Sequence, residues 1–96
     1  MNKPIVLITV DCLRADHCSV YGYERETTPF LEELSNRNDV IALENAYSNG
    51  PGTRWALPSI LTGIHHLRFS DFGLPKSSKV KNIAEILSEK DYRTGA

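Results

Sequence analysis

The run Ile5-Val6-Leu7-Ile8-Thr9-Val10, closed by Asp11, constrains the fold more than any other segment of this chain. It is apolar and β-branched, with no polar alternation. That is the pattern of a strand buried on both faces of a parallel sheet. In open parallel sheets ligands bind beyond the carboxyl ends of the strands, so the run delivers Asp11 to that crevice. A carboxylate placed there can bind a hard cation, accept a phosphoryl group or act as a base. The alternative is that it only caps a turn.

The remaining segments predict helices separated by turns. Residues 11 to 27 form a long polar connection, with a helical turn near Ala15 to Val20 and Gly22 as a breaker. Thr28 is the expected N-cap of a helix whose first position is Pro29, where the missing N–H costs nothing. Glu32 and Glu33 favour the positive end of its dipole. Phe30, Leu31 and Leu34 form its apolar stripe, and it should end near Asn38. Val40 to Tyr47 predicts a second strand, and Ser48-Asn49-Gly50-Pro51-Gly52 a turn. Thr53 to Thr62 predicts a helix closed by Gly63, with Pro58 either kinking it or starting its regular part. Residues 64 to 81 read as a loop containing Pro75 and paired serines. Asn82-Ile83-Ala84-Glu85 is a capping box, after which Ile83, Ile86 and Leu87 supply a buried face. Tyr92-Arg93-Thr94 approaches another strand. This order argues for an α/β fold, a partial parallel-sheet sandwich with helices on its faces, in one domain over residues 1–96.

Composition narrows the partners. The 96 residues carry 11 basic and 12 acidic side chains, a net charge of −1, so no general attraction to nucleic acid or anionic membranes is expected. The apolar run after Lys3 is cut off by Asp11 without a small-residue cleavage site, which argues against a signal peptide. No stretch approaches the length of a membrane span. Cys12 and Cys18 fit neither a disulfide scaffold nor a four-ligand zinc site, so a reducing, cytoplasmic setting is the simplest reading.

Thr53 is the second residue with chemistry. It follows Gly50-Pro51-Gly52 and opens a helix, where N–H groups and a partial positive charge can cradle a phosphate or sulfate oxygen. A metal could lower the pKa of its hydroxyl and make it a nucleophile. The alternative is an ordinary N-cap. Arg54, next to it, could help neutralise an anion. Cys12 reads as a small buried residue facing the sheet rather than a metal ligand. Arg14 and Asp16 are expected to brace the loop after the strand, and His17 to be structural. His65 and His66 are adjacent and do not converge on one metal. Trp55 and Phe69 read as packing residues.

The stretch from Ile5 to His17, then Tyr21-Gly22-Tyr23 and Thr28-Pro29-Phe30-Leu31-Glu32-Glu33-Leu34, resembles the opening of the sulfatase family in the alkaline-phosphatase-like superfamily. Asn45-Ala46-Tyr47-Ser48, Ser59-Ile60-Leu61-Thr62-Gly63, Ile83-Ala84-Glu85-Ile86-Leu87 and Tyr92-Arg93-Thr94 continue the resemblance in order, over nearly the whole chain. The fold it implies is the N-terminal part of an alkaline-phosphatase-like domain. It further implies that Asp11 is the first metal-binding aspartate. Thr53, ten positions before Gly63, stands where the family places its nucleophile and would also touch the metal. The implied cofactor is a divalent ion: calcium, zinc, manganese or magnesium. The implied partner is a small-molecule or polymeric sulfate or phosphate ester.

The sequence departs from the sulfatase motif, which has a cysteine or serine, a proline two positions later and an arginine four positions later. Here these positions hold Thr53, Trp55 and Leu57. Threonine cannot become formylglycine, because oxidising its β-carbon gives a ketone. Threonine nucleophiles are what the resemblance to phosphodiesterases and phosphate mutases of the superfamily implies. The further ligands implied by the family lie beyond position 96, so the chain reads as a fragment, inactive alone. Its expected function is therefore that of a metal-dependent hydrolase or transferase of sulfate or phosphate esters. The alternative is a non-catalytic remnant serving as a binding or structural module. A phosphoaspartyl enzyme using Asp11 as nucleophile ranks last, because a haloacid-dehalogenase-type site wants an acidic residue where Leu13 stands.

Overall fold

In a computed structural model, residues 3–68 and 80–96 are described. The chain divides into two compact units. One is Val6–Ala46, and the other is Tyr47–Ala96 together with the start of the chain up to Ile5.

In Val6–Ala46 the predicted helical turn is two successive 3-10 turns, Ala15–His17 and Ser19–Tyr21. Gly22 ends the second at φ 96°, a left-handed conformation that glycine adopts without penalty. Helix α1 follows over Pro29–Ser35 and packs on the Ser19–Tyr21 turn. Pro29 opens it as expected, but the Thr28 hydroxyl does not cap it. That hydroxyl instead accepts from the Val20 amide at 3.0 Å and lies 3.2 Å from Ser19 Oγ. Ser19 Oγ in turn accepts from the amides of Thr27 and Thr28. Thr27 Oγ1 accepts from the Ser19 amide and donates to the His17 carbonyl at 2.6 Å. Three hydroxyls thus close the loop from 19 to 28. Cys18, 2% exposed, is buried beneath it and donates its thiol to the Arg14 carbonyl. Helix α1 stops at Ser35 rather than near Asn38. The amides of Asn36 and Arg37 bond three residues back, and Ser35 Oγ takes the Glu32 carbonyl, so the last turn tightens and leaves the α ladder.

In the other unit, α2 spans Thr53–Thr62, the predicted range, and ends at Gly63 with φ 71°. Pro58 lies inside it and supplies no N–H to the preceding turn. Thr62 Oγ1 donates back to the Pro58 carbonyl at 2.7 Å, and the Gly63 amide closes on Ser59. Helix α2 touches the 3-10 turn His66–Arg68 and helix α3, Ile83–Ser88. The capping box forms as read from the sequence. The Glu85 amide donates to Asn82 Oδ1 at 3.0 Å, and the Asn82 amide donates to Glu85 Oε2 at 2.8 Å.

The parallel-sheet expectation is overturned. The described residues hold helices and 3-10 turns and no strand. A strand exists only through its ladder, and a central parallel strand needs a neighbour on each side. The runs 5–10 and 40–47 enter no ladder, and their side chains lie open: Val6 is 77% exposed, Ile8 80% and Ile41 85%. The approach to a third strand at 92–94 forms none either. The helical stripes also differ from expectation. Phe30, Leu31, Ile83 and Ile86 are exposed, while Leu34 and Leu87 are half-buried. The part of the expected loop over residues 69–79, with Pro75, the paired serines and the packing role of Phe69, lies outside the described residues. Among the described residues no helix is long and apolar enough to cross a membrane.

Candidate functional site

Asp11 lies in the unit Val6–Ala46 and Thr53 in the other, so each is described in its own surroundings. Asp11 is exposed, and its Oδ2 accepts a weak hydrogen bond from Cys12 Sγ at 3.7 Å. Cys12 has φ 57°, a left-handed backbone that costs a residue with a Cβ of order 1–2 kcal/mol. The expectation of a small buried residue facing a sheet at Cys12 is corrected: the described residues form no sheet to cover it, and Cys12 is exposed like the run before it. Strain at the residue beside a candidate ligand often accompanies function.

Beyond Cys12 the loop is braced as expected. Arg14 Nε and Nη2 donate to the two oxygens of Asp16 at 2.9 and 2.7 Å, a bidentate pair. His17 Nδ1 lies 2.9 Å from Asp16 Oδ1, and its ring packs on Tyr23 at 4.9 Å between centroids. The Arg14 hydrogen bonds, and then that of His17, hold the Asp16 carboxyl well below the usual carboxylate range. The same pair raises the Arg14 guanidinium. These three residues are committed to one another, in keeping with a bracing role.

Thr53 is the first residue of α2 and is exposed. The N-cap is Gly52, with extended backbone and no side-chain cap bond, so the ordinary N-cap reading of Thr53 does not apply. The Thr53 side chain therefore projects from the positive end of a ten-residue helix. Trp55 is half-buried, as the packing reading required. His65 and His66 stack on each other, with centroids 4.5 Å apart, in and beside the His66–Arg68 turn.

Asp11 and Thr53 offer a carboxylate and a hydroxyl, the oxygen donors that hard divalent ions prefer. Two donors are too few for such an ion, and the described residues form no group of three or more His, Cys, Asp or Glu side chains able to hold a metal. The donors fit an ion in kind and not in number.

Sequence reasoning missed the contacts that build the start of α2. A Cβ on Gly50 would lie 2.5 Å from Trp55 Cβ, and one on Gly52 would lie 3.2 Å from the Trp55 ring. The signal was present as two glycines flanking Pro51 just before a tryptophan, and it read only as a turn.

The sulfatase family model matches residues 3–96, and the chain belongs to the sulfatase family, within the alkaline-phosphatase-like superfamily. It is similar to the putative transferase YhbX of Escherichia coli K12, at 30% identity over 89 residues, covering 93% of this chain and 15% of the relative. The YhbX of Escherichia coli O157:H7 matches equally. The phosphatidylethanolamine transferase Mcr-1 of Escherichia coli is 28% identical over 89 residues, covering 91% of this chain and 15% of that protein. The chain thus spans about 15% of the length of the curated relatives it matches. No solved structure matches it.

Proposed function

We propose that this chain carries the nucleophile segment of an enzyme that transfers or hydrolyses phosphate or sulfate esters, with Thr53 as the nucleophile. The observation that carries the reading is the placement of Thr53: exposed, at the first position of α2, directly after a glycine N-cap. Thr53 Oγ1 attacks the phosphorus or sulfur, the ester oxygen departs with its alcohol, and the group passes from threonine to water or another acceptor. The helix start supports this step by placing partial positive charge beside the oxygens that gain charge. Arg54, the next residue, adds a cation on the same turn. The transferase names of the relatives and the presence of threonine, which cannot become formylglycine, favour phosphate over sulfate.

Asp11 is proposed as a metal ligand, with Thr53 as a second. A divalent ion, when bound, supplies Lewis-acid stabilisation and a lower pKa for a neighbouring hydroxyl. Further donors would have to join these two. The free thiols Cys12 and Cys18 suit a reducing compartment, the cytoplasm in the simplest case.

The test uses the protein expressed from its own gene, with bis-4-nitrophenyl phosphate and 4-nitrophenyl sulfate as substrates. Thr53→Ala should abolish turnover of the diester, while Thr53→Ser should keep part of it. Undiminished turnover by Thr53→Ala would sink the proposal.

A further inference from the structure

The residues around Thr53 form a bracket with Trp55 at its centre. On one side stands the turn Gly50-Pro51-Gly52. The Trp55 Cβ fills the space next to Gly50 so closely that an added Cβ there would meet it at 2.5 Å, and would meet the Trp55 carbonyl carbon at 3.0 Å. The ring covers Gly52, whose added Cβ would lie 3.2 and 3.3 Å from two ring carbons. No positive φ demands glycine at either position, so it is the approach of Trp55 that does. Ser48 Oγ donates to the Gly50 carbonyl at 2.8 Å and accepts from the Gly50 amide, which fixes the outer edge of the turn.

On the other side, the Trp55 and Ala56 amides both donate to the Gly52 carbonyl, at 3.0 and 2.9 Å. The Trp55 carbonyl accepts from Ser59 Oγ at 3.3 Å, and Ser59 is 4% exposed. Trp55 therefore ties the turn before Thr53 to the helical turn after it, and Thr53 lies between the two ties. The N-cap Gly52 has no side-chain cap bond, and the indole packs over it.

We infer that Trp55 is the positioning residue for Thr53: its ring, laid over Gly52, holds the Thr53 hydroxyl in its line of attack. This rests on the reading of Thr53 as the nucleophile. A displacement of about 1 Å at a reacting group lowers the rate about 100-fold without a matching loss of binding. Truncating Trp55 removes the ring from over Gly52 and should act in that way.

The experiment measures kcat and KM for bis-4-nitrophenyl phosphate in the protein expressed from its own gene. Trp55→Ala should lower kcat about 100-fold, with KM within about two-fold and the thermal unfolding of the protein retained. Trp55→Phe keeps a ring over Gly52 and should restore most of kcat. If Trp55→Ala does not accumulate, Trp55→Leu carries the same expectation for kcat. Wild-type kcat in Trp55→Ala or Trp55→Leu, with Thr53→Ala inactive, overturns the positioning role and leaves the nucleophile reading standing. Full activity of Thr53→Ala overturns both, as does a wild-type protein that turns over neither the diester nor 4-nitrophenyl sulfate.

Discussion

Replacing Ser19 by alanine should open the loop that follows Asp11. Ser19 Oγ accepts from the amides of Thr27 and Thr28 at 3.2 and 3.0 Å and lies 3.2 Å from Thr28 Oγ1. Ser19→Ala leaves two amides and one hydroxyl without that oxygen. A buried donor stranded in this way costs about 1–3 kcal/mol. Thr27 is exposed and Thr28 half-buried, so water recovers most of the first bond and part of the second. The expected net cost is about 1–2 kcal/mol in the local opening of residues 19–28, a factor of roughly 5–30 in its equilibrium. Amide hydrogen exchange reads this directly: Thr27, Thr28 and Val20 should lose protection by that factor. Val20 belongs to the set because its amide donates to the Thr28 hydroxyl that Ser19 holds. The Ile86 amide, bonded to the Asn82 carbonyl in the other unit, should not respond. Thr28→Val removes the second hydroxyl, and its combination with Ser19→Ala should cost less than the sum, because the two oxygens share one network. Protection of Thr27 and Thr28 unchanged within about two-fold in Ser19→Ala would refute the clamp.

Two further outcomes follow from the segment around Asp11. At φ 57° Cys12 carries a left-handed penalty of about 1–2 kcal/mol, against an entropic cost of about 0.5–1 kcal/mol for glycine, so Cys12→Gly should stabilise by up to about 1 kcal/mol. Cys12→Val should destabilise, and a urea midpoint no lower for valine than for glycine would contradict the strain. Asp16 is held below its ordinary pKa, first by the Arg14 hydrogen bonds and then by His17, so its contribution to stability is present at neutral pH. That contribution should fade as pH falls below the usual aspartate range and be lost through the depressed value. A carboxyl NMR titration should place Asp16 below the usual aspartate range, and Arg14→Gln should return it upward. An Asp16 that titrates in the ordinary range would refute the pairing.

What was legible in the sequence divides along the range of the interactions. The box at Asn82 and Glu85, the proline opening α1, the glycine closing α2 and the brace between Arg14 and Asp16 are all settled within four residues. Each depends on chemistry that a neighbour in the chain supplies. Ile5–Val10 depends on something else. Its apolar character says what such a run tolerates on its faces, but its edges need partners that no residue type within the run announces. The runs 6–10 and 40–46 belong to one unit and still do not pair. The reading that failed was thus the one that took burial in a sheet from the composition of a single segment.

Thr28 and Thr53 show the same division within the site. Both precede or open helices, and both suit an N-cap by residue type. Thr28 turns to Ser19 and Val20, nine and eight residues back, and the N-cap position before Thr53 is held by Gly52. Residue type alone ranked the cap first for both. What separates them is the partner that each finds. The hydroxyl of Thr28 closes a loop, and Thr53 is exposed at a helix start whose turn is packed by Trp55. The indole over Gly52, with the Trp55 Cβ and backbone beside Gly50, explains why that turn is built from glycine, and the proposed nucleophile follows directly on it.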